Sequence, residues 1–150
     1  MTAMLDRPFP FWGGPSTMQG MQRDADLSLR ERNGIVRVRV NWPTPDCPKP
    51  APVLVFLSGD DTLAEAVDAR CRELSADHCL VVLSVRTAAV DTATTALEWA
   101  ADHATQLDAD PGAVLVGGIG EGADLAARVA AGARENGWPE LVGEVLLQER

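Results

Sequence analysis

The stretch Val114-Leu115-Val116-Gly117-Gly118-Ile119-Gly120-Glu121-Gly122-Ala123-Asp124-Leu125-Ala126-Ala127 decides the fold. A short apolar run passes through closely spaced glycines straight into a segment in which Leu125, Val129 and Ala133 recur at helical spacing. A continuous apolar run suits a strand covered on both faces, and a strand feeding directly into a helix is the unit of a parallel sheet. The helix should start near Gly122 and end at Asn136-Gly137, where the glycine suits a left-handed C-terminal cap.

The same theme recurs on either side. Val53-Leu54-Val55-Phe56-Leu57, Leu80-Val81-Val82-Leu83-Ser84-Val85 and Val145-Leu146-Leu147 are further apolar runs. Between the first two, Thr62 and Glu65 have capping-box spacing ahead of a face of Leu63, Val67, Cys71 and Leu74. A second helix should start near Asp91 with Ala93, Leu97, Ala100, Ala104 and Leu107 inward, stopped by Asp108-Ala109-Asp110-Pro111-Gly112. Right-handed β-α-β crossovers are the expectation for such units. Upstream, Leu27 and Leu29 alternate with polar residues, Asn33-Gly34 suits a tight turn, and Ile35-Val36-Arg37-Val38-Arg39-Val40 alternates again, which predicts an antiparallel hairpin with one partly wet face. Pro43, Pro45, Pro48, Pro50 and Pro52 make an extended crossing segment. Residues 1–24, with Phe9, Phe11 and Trp12 among prolines and glycines and no sustained period, read as an N-terminal arm on a single domain spanning 25–150.

With 150 residues, 46% of them hydrophobic, the chain is large enough for one buried core. Its 13 basic against 22 acidic side chains give a net charge of −9 without a basic cluster, which argues against nucleic acid and anionic lipid as partners. No apolar run approaches the roughly 20 residues of a membrane span, and Met1 to Arg23 has no leader pattern, so a cytoplasmic location is expected. Cys47, Cys71 and Cys79 are odd in number and lack C-x-x-C spacing, so reduced thiols are expected, with Cys71 and Cys79 buried, and neither a disulfide nor a metal site.

Four segments match one family in order. Val38-Arg39-Val40-Asn41-Trp42-Pro43 resembles a V-R-V-Y-x-P strand, and Pro52 to Asp61 resembles the strand leading into an H-G-G-G oxyanion loop. Ala96-Leu97-Glu98-Trp99 followed by Asp108 to Pro111 is similar to the helix and D-P turn before the nucleophile strand, and Val114 to Ala127 aligns without a gap on I-A-V-x-G-D-S-A-G-G-N-L-A-A. Over roughly residues 27–148 the chain thus resembles the N-terminal half of an α/β-hydrolase of the hormone-sensitive-lipase-like esterase/lipase family. The resemblance implies a truncated three-layer α/β sandwich, with a mostly parallel sheet of about six strands and an antiparallel N-terminal hairpin.

The departures fall where the chemistry would be. The nucleophile elbow G-x-S-x-G reads Gly118-Ile119-Gly120-Glu121-Gly122, so the nucleophile position is a glycine that cannot form an acyl-enzyme. In the oxyanion loop Ser58 stands for the family's histidine, followed by Gly59, and Asp60 and Asp61 stand for glycines, so carboxylates oppose the charge such a loop should stabilise. The family's triad acid and histidine come from beyond the sixth strand, where this sequence stops, and His78 and His103 fall away from the carboxyl ends of the strands. No catalytic residue is assigned.

Three other readings bear on the same residues. Gly118-x-Gly120-x-x-Ala123 after a strand fits a loose dinucleotide fingerprint, although it lies late in the chain and Glu121 adds negative charge. Asp60, Asp61 and Glu121 could form an oxygen-only cation cluster, or Asp61 could simply cap the helix at Thr62 and Glu121 favour its own helix N-terminus. Ser58 or a cysteine could act as a nucleophile, but without a base in prospect. The expectation is therefore a catalytically inactive hydrolase relative serving as a binding or interaction module, with no cofactor and no metal. Its ligand crevice would be Asp60, Arg86, Thr87, Gly120 and Glu121, and a second copy, another protein or the N-terminal arm would cover the edge at Val145, Leu146 and Leu147. The alternative is a hydrolase of small acyl esters acting through other groups or completed by a partner.

Overall fold

The computed structural model describes residues 22–31 and 34–147. Most of the expected arm, the Asn33 of the hairpin turn and residues 148–150 lie outside them. Among the described residues six strands form one sheet: β1 (Asp24–Glu31), β2 (Gly34–Asn41), β3 (Ala51–Ser58), β4 (Val81–Arg86), β5 (Ala109–Ile119) and β6 (Leu141–Leu147). Their order is β1-β2-β4-β3-β5-β6. The pairs β1/β2 and β2/β4 are antiparallel, and β4/β3, β3/β5 and β5/β6 are parallel. The helices α1 (Ala64–His78), α2 (Val90–His103) and α3 (Glu121–Asn136) make the crossovers.

The apolar runs become strands because both of their faces are covered. On one face Val53, Val55 and Leu57 pack with Ala93, Leu97, Leu125 and Val129 from α2 and α3. On the other, Leu54, Phe56 and Val82 pack with Val67 and Cys71 from α1. The predicted stripes of α2 and α3 are buried as expected, and Gly137 ends α3 in the left-handed region at φ 79°.

The first strand begins where Asp24 pairs with Asn41. Several expectations need correction. Leu63 is 74% exposed, because it is the extended N-cap residue of α1 and precedes the helical phase that points Val67 and Cys71 inward. Thr62 does not cap α1; its hydroxyl donates to Asp61 Oδ1 at 3.3 Å instead. Helix α2 ends at His103, and a 3₁₀ turn at Thr105–Leu107 follows, with Asp108 left-handed at φ 61°. Ala109 pairs with Ala51, so β5 begins inside the segment expected to be a turn.

The cysteines also differ from expectation. Cys47 and Cys79 form a disulfide across 32 residues, with their Cα atoms 5.6 Å apart. The tight turn from Thr44 to Cys47 in the crossing segment passes beside Cys79, the left-handed C-cap of α1, and no sequence spacing encodes that approach. Cys71 is a buried free thiol, as expected. Strand β6 hydrogen-bonds to β5 and to no other described strand, with Val142 and Leu146 exposed. No helix among the described residues is long and apolar enough to cross a membrane.

Candidate functional site

Ser58, Arg86 and Ile119 share one level of the sheet, Ser58 lying opposite Arg86 on one side and Ile119 on the other. The carboxyl ends of three parallel strands therefore converge, which is where open α/β sheets bind ligands. The turn that follows Ile119 is the elbow. Gly120 sits at φ 60°, ψ −126°, a conformation that strains any residue with a β-carbon. Gly122 is required for a second reason, since a β-carbon there would overlap the carbonyl oxygen of Leu57. The glycine frame thus lets the start of α3 press directly on the backbone of β3.

The loop after β3 reaches across to this elbow. Asp61 Oδ2 accepts a hydrogen bond from the backbone N–H of Glu121 at 2.9 Å. Adjacency suggested that Asp61 might cap α1, but its carboxylate caps α3. The loop is held from its far side by Arg86, whose Nη2 donates to the carbonyl of Thr62 at 2.5 Å and whose Nε lies 3.7 Å from Asp60 Oδ1. Both side chains of that ion pair are well exposed, so it contributes little by itself. The backbone N–H of Thr87 donates to the carbonyl of Ser58, and the Thr87 hydroxyl accepts from Ala89 N–H at the start of α2. Of the expected crevice residues, Asp60 and Arg86 pair with each other, whereas Thr87 bonds to Ser58 and Ala89 and Glu121 bonds to Asp61.

A cavity of about 360 Å³ beside the elbow is lined by Thr87, Glu121, Asp124 and Arg128 among others, but not by Asp60, Arg86 or Gly120. Ser58 is buried, and its hydroxyl has no hydrogen-bond partner among the described residues. His78 and His103 end α1 and α2, so both lie toward the amino ends of the parallel strands, roughly 20 Å from the elbow for strands of this length. The Nδ1 of His103 donates to the carbonyl of Trp99, and its ring stacks on that indole at 4.5 Å. Among the described residues no three His, Cys, Asp or Glu side chains are grouped to hold a metal ion. The amide a pyrophosphate would need at the start of α3 is already bonded to Asp61.

A larger cavity, about 530 Å³, corresponds to no motif in the sequence. It lies at the opposite end of the sheet and is lined by Arg23, Trp42, Thr44, Cys47, Lys49 and Asp108 among others. Arg23 stacks over Trp42 at 4.9 Å, and the Trp42 Nε1–H donates to the carbonyl of Leu107. The run of prolines was the one available signal, and it marked an extended segment without showing what that segment encloses.

A mixed, mostly parallel sheet covered by helices, with a glycine elbow at the carboxyl end of β5, defines a class of protein, and comparison supplies the family. The chain belongs to the alpha/beta hydrolase fold family, whose profile matches residues 68–148. It is 32% identical over 138 residues to esterase LipI of Mycobacterium tuberculosis, covering 83% of this chain and 43% of that protein. It is 33% identical over 123 residues to carboxylesterase NlhH of the same organism, covering 74% of this chain and 38% of that protein. The structure of a hyperthermophilic esterase from the archaeon Pyrobaculum calidifontis superposes with a TM-score of 0.73 at 30% identity, over 81% of this chain and 43% of that one. The chain therefore falls with the esterase/lipase-type, hormone-sensitive-lipase-like members, and it spans less than half the length of these relatives.

Proposed function

We propose that this chain is a non-acylating relative of the esterase/lipase-type hydrolases, a binding or interaction domain built on their sheet and elbow. Gly120 carries the proposal. It occupies the family's nucleophile position and has no side chain that could take up an acyl group. The carboxylates of Asp60 and Asp61 in the neighbouring loop oppose the negative charge that ester hydrolysis develops. Hydrolysis of p-nitrophenyl acetate by the full chain tests the reading directly, with Ser58→Ala as control. A rate equal to buffer is expected; a faster rate abolished by Ser58→Ala would replace this reading with a Ser58-dependent esterase.

The relatives favour a second reading. LipI and NlhH are named as esterases, and a likeness of 32–33% identity supports the same chemistry on small acyl esters, through groups outside the elbow or with a partner chain that completes the site. Turnover that survives Ser58→Ala would support it.

The interaction surface under the leading reading is the outer edge of β6, where Val142 and Leu146 are exposed and no described strand is paired. Such an edge is self-complementary, and a second copy of this chain is the proposed occupant. Light scattering should return twice the 16.0 kDa chain mass, and Val142→Lys with Leu146→Lys should halve it. A monomer at all concentrations would remove this surface from the proposal.

A further inference from the structure

We propose that Asp61 is an intramolecular occupant of the elbow, a carboxylate on the chain's own loop seated where a nucleophile's side chain and a substrate's oxyanion would meet. Any ester, or any partner that completes the site, must first displace it. This goes beyond the non-acylating reading, since a chain with an open elbow would be equally unable to form an acyl-enzyme at Gly120.

Three separate contacts carry the inference. The first is the bond from Glu121 N–H to Asp61 Oδ2 at 2.9 Å. Glu121 is the residue after the nucleophile position and the first residue of α3, so its amide is the elbow's donor toward a developing oxyanion and lies at the positive end of the helix. The second is steric. A β-carbon on Gly120 would have Asp61 Oδ2 at 2.5 Å and Asp61 Cγ and Oδ1 at 3.2 Å, so the three atoms nearest to it all belong to this one carboxylate. The third is the hold on the loop: Thr62 is buried, its hydroxyl donates to Asp61 Oδ1, and its carbonyl accepts from Arg86.

The direction taken by the carboxylate is informative. Asp61 lies two residues before the N-cap of α1, yet α1 has no side-chain cap, and the carboxylate goes to the helix that begins at the elbow. The bare position 120 and the carboxylate of Asp61 are therefore complementary in space. Together they turn the junction between the oxyanion loop and the elbow from an open donor site into a closed internal contact.

Two measurements on the full chain test this. Amide hydrogen exchange at Glu121 should speed up at least about fivefold in Asp61→Ala relative to the unsubstituted chain, the scale expected for losing a charge-assisted hydrogen bond. Alkylation by iodoacetamide of the thiol introduced with Gly120→Cys should likewise speed up at least about fivefold when Asp61→Ala is added. Background labelling should be low, because Cys47 and Cys79 are paired and Cys71 is buried. A smaller change in either measurement overturns the proposal. If Gly120→Cys does not fold, the exchange measurement decides alone.

Discussion

The Asp61 carboxylate and the Glu121 backbone N–H meet at 2.9 Å although 60 residues separate them, and this one bond joins the loop after β3 to the helix after β5. It crosses the carboxyl end of the sheet, where open α/β sheets bind ligands. Replacing Gly120 by alanine should therefore do two things at once. It forces a β-carbon into φ 60°, ψ −126°, at a cost of about 1–3 kcal/mol, and it crowds the Asp61 carboxylate, weakening its bond to the Glu121 amide. In urea unfolding, Gly120→Ala and Asp61→Ala should each destabilise, and the double variant should lose at least about 0.5 kcal/mol less than the sum. Strict additivity would show that the two residues do not meet.

Glycines on the same helix should respond in opposite directions. The three atoms nearest to a β-carbon on Gly122 are backbone atoms of Leu57 and Ser58, which cannot swing aside. Gly122→Ala should cost about 3 kcal/mol or more, or leave little folded protein. Gly132, in the interior of α3, has nothing within 4 Å of that position, and Gly132→Ala should stabilise by about 0.5–1 kcal/mol. Equal and small effects at both sites would contradict the close approach of α3 to β3.

The Cys47–Cys79 disulfide closes a loop of 32 residues and should contribute about 3–4 kcal/mol. Replacing both cysteines by serine should lower the denaturation midpoint, and reduction of the parent chain should lower it similarly. Unfolded without reductant, the parent should release one titratable thiol, that of Cys71; three thiols would show that the bridge does not form.

Burial pushes the Cys71 thiol up to about 12 from an ordinary value near 9.0. Between those limits the unfolded chain loses this proton and the folded chain keeps it, so the folded state binds more protons and stability falls as pH rises above about 9. The contribution is fully present below pH 9, and its loss has a limiting slope of about 1.4 kcal/mol per pH unit. Cys71→Ala should flatten the fall in stability between pH 9 and 11. An unchanged slope would mean that the thiol is not buried as described.

Much of the architecture was legible because it rests on local periodicity. The apolar runs of β3, β4 and β5 and the stripes Ala93-Leu97-Ala100 and Leu125-Val129-Ala133 are patterns over short windows, and burial of both sheet faces leaves few other ways to satisfy them. Where backbone conformation departs from the periodic pattern, residue spacing alone misleads. Leu63 fits the apolar face of α1 by count yet is extended and exposed, and Asp110 to Gly112 reads as a turn yet falls within β5. The candidate site was half legible. The glycine at position 120 and the carboxylates at 60 and 61 are visible in sequence, because each can be compared with a motif one position at a time.

Short stretches of sequence dictated the alternation of strands and helices, the glycine elbow and the bare Gly120 at its centre, since each depends on residues within a few positions of one another. Tertiary structure alone decided that Cys47 reaches Cys79, that Arg86 holds the loop at Thr62, and that Asp61 serves α3 rather than α1. The physical reason is the same in all three cases. A disulfide or a hydrogen bond demands approach within a few ångströms and a particular direction, and for groups 24 to 60 residues apart those are set by how the sheet orders its strands.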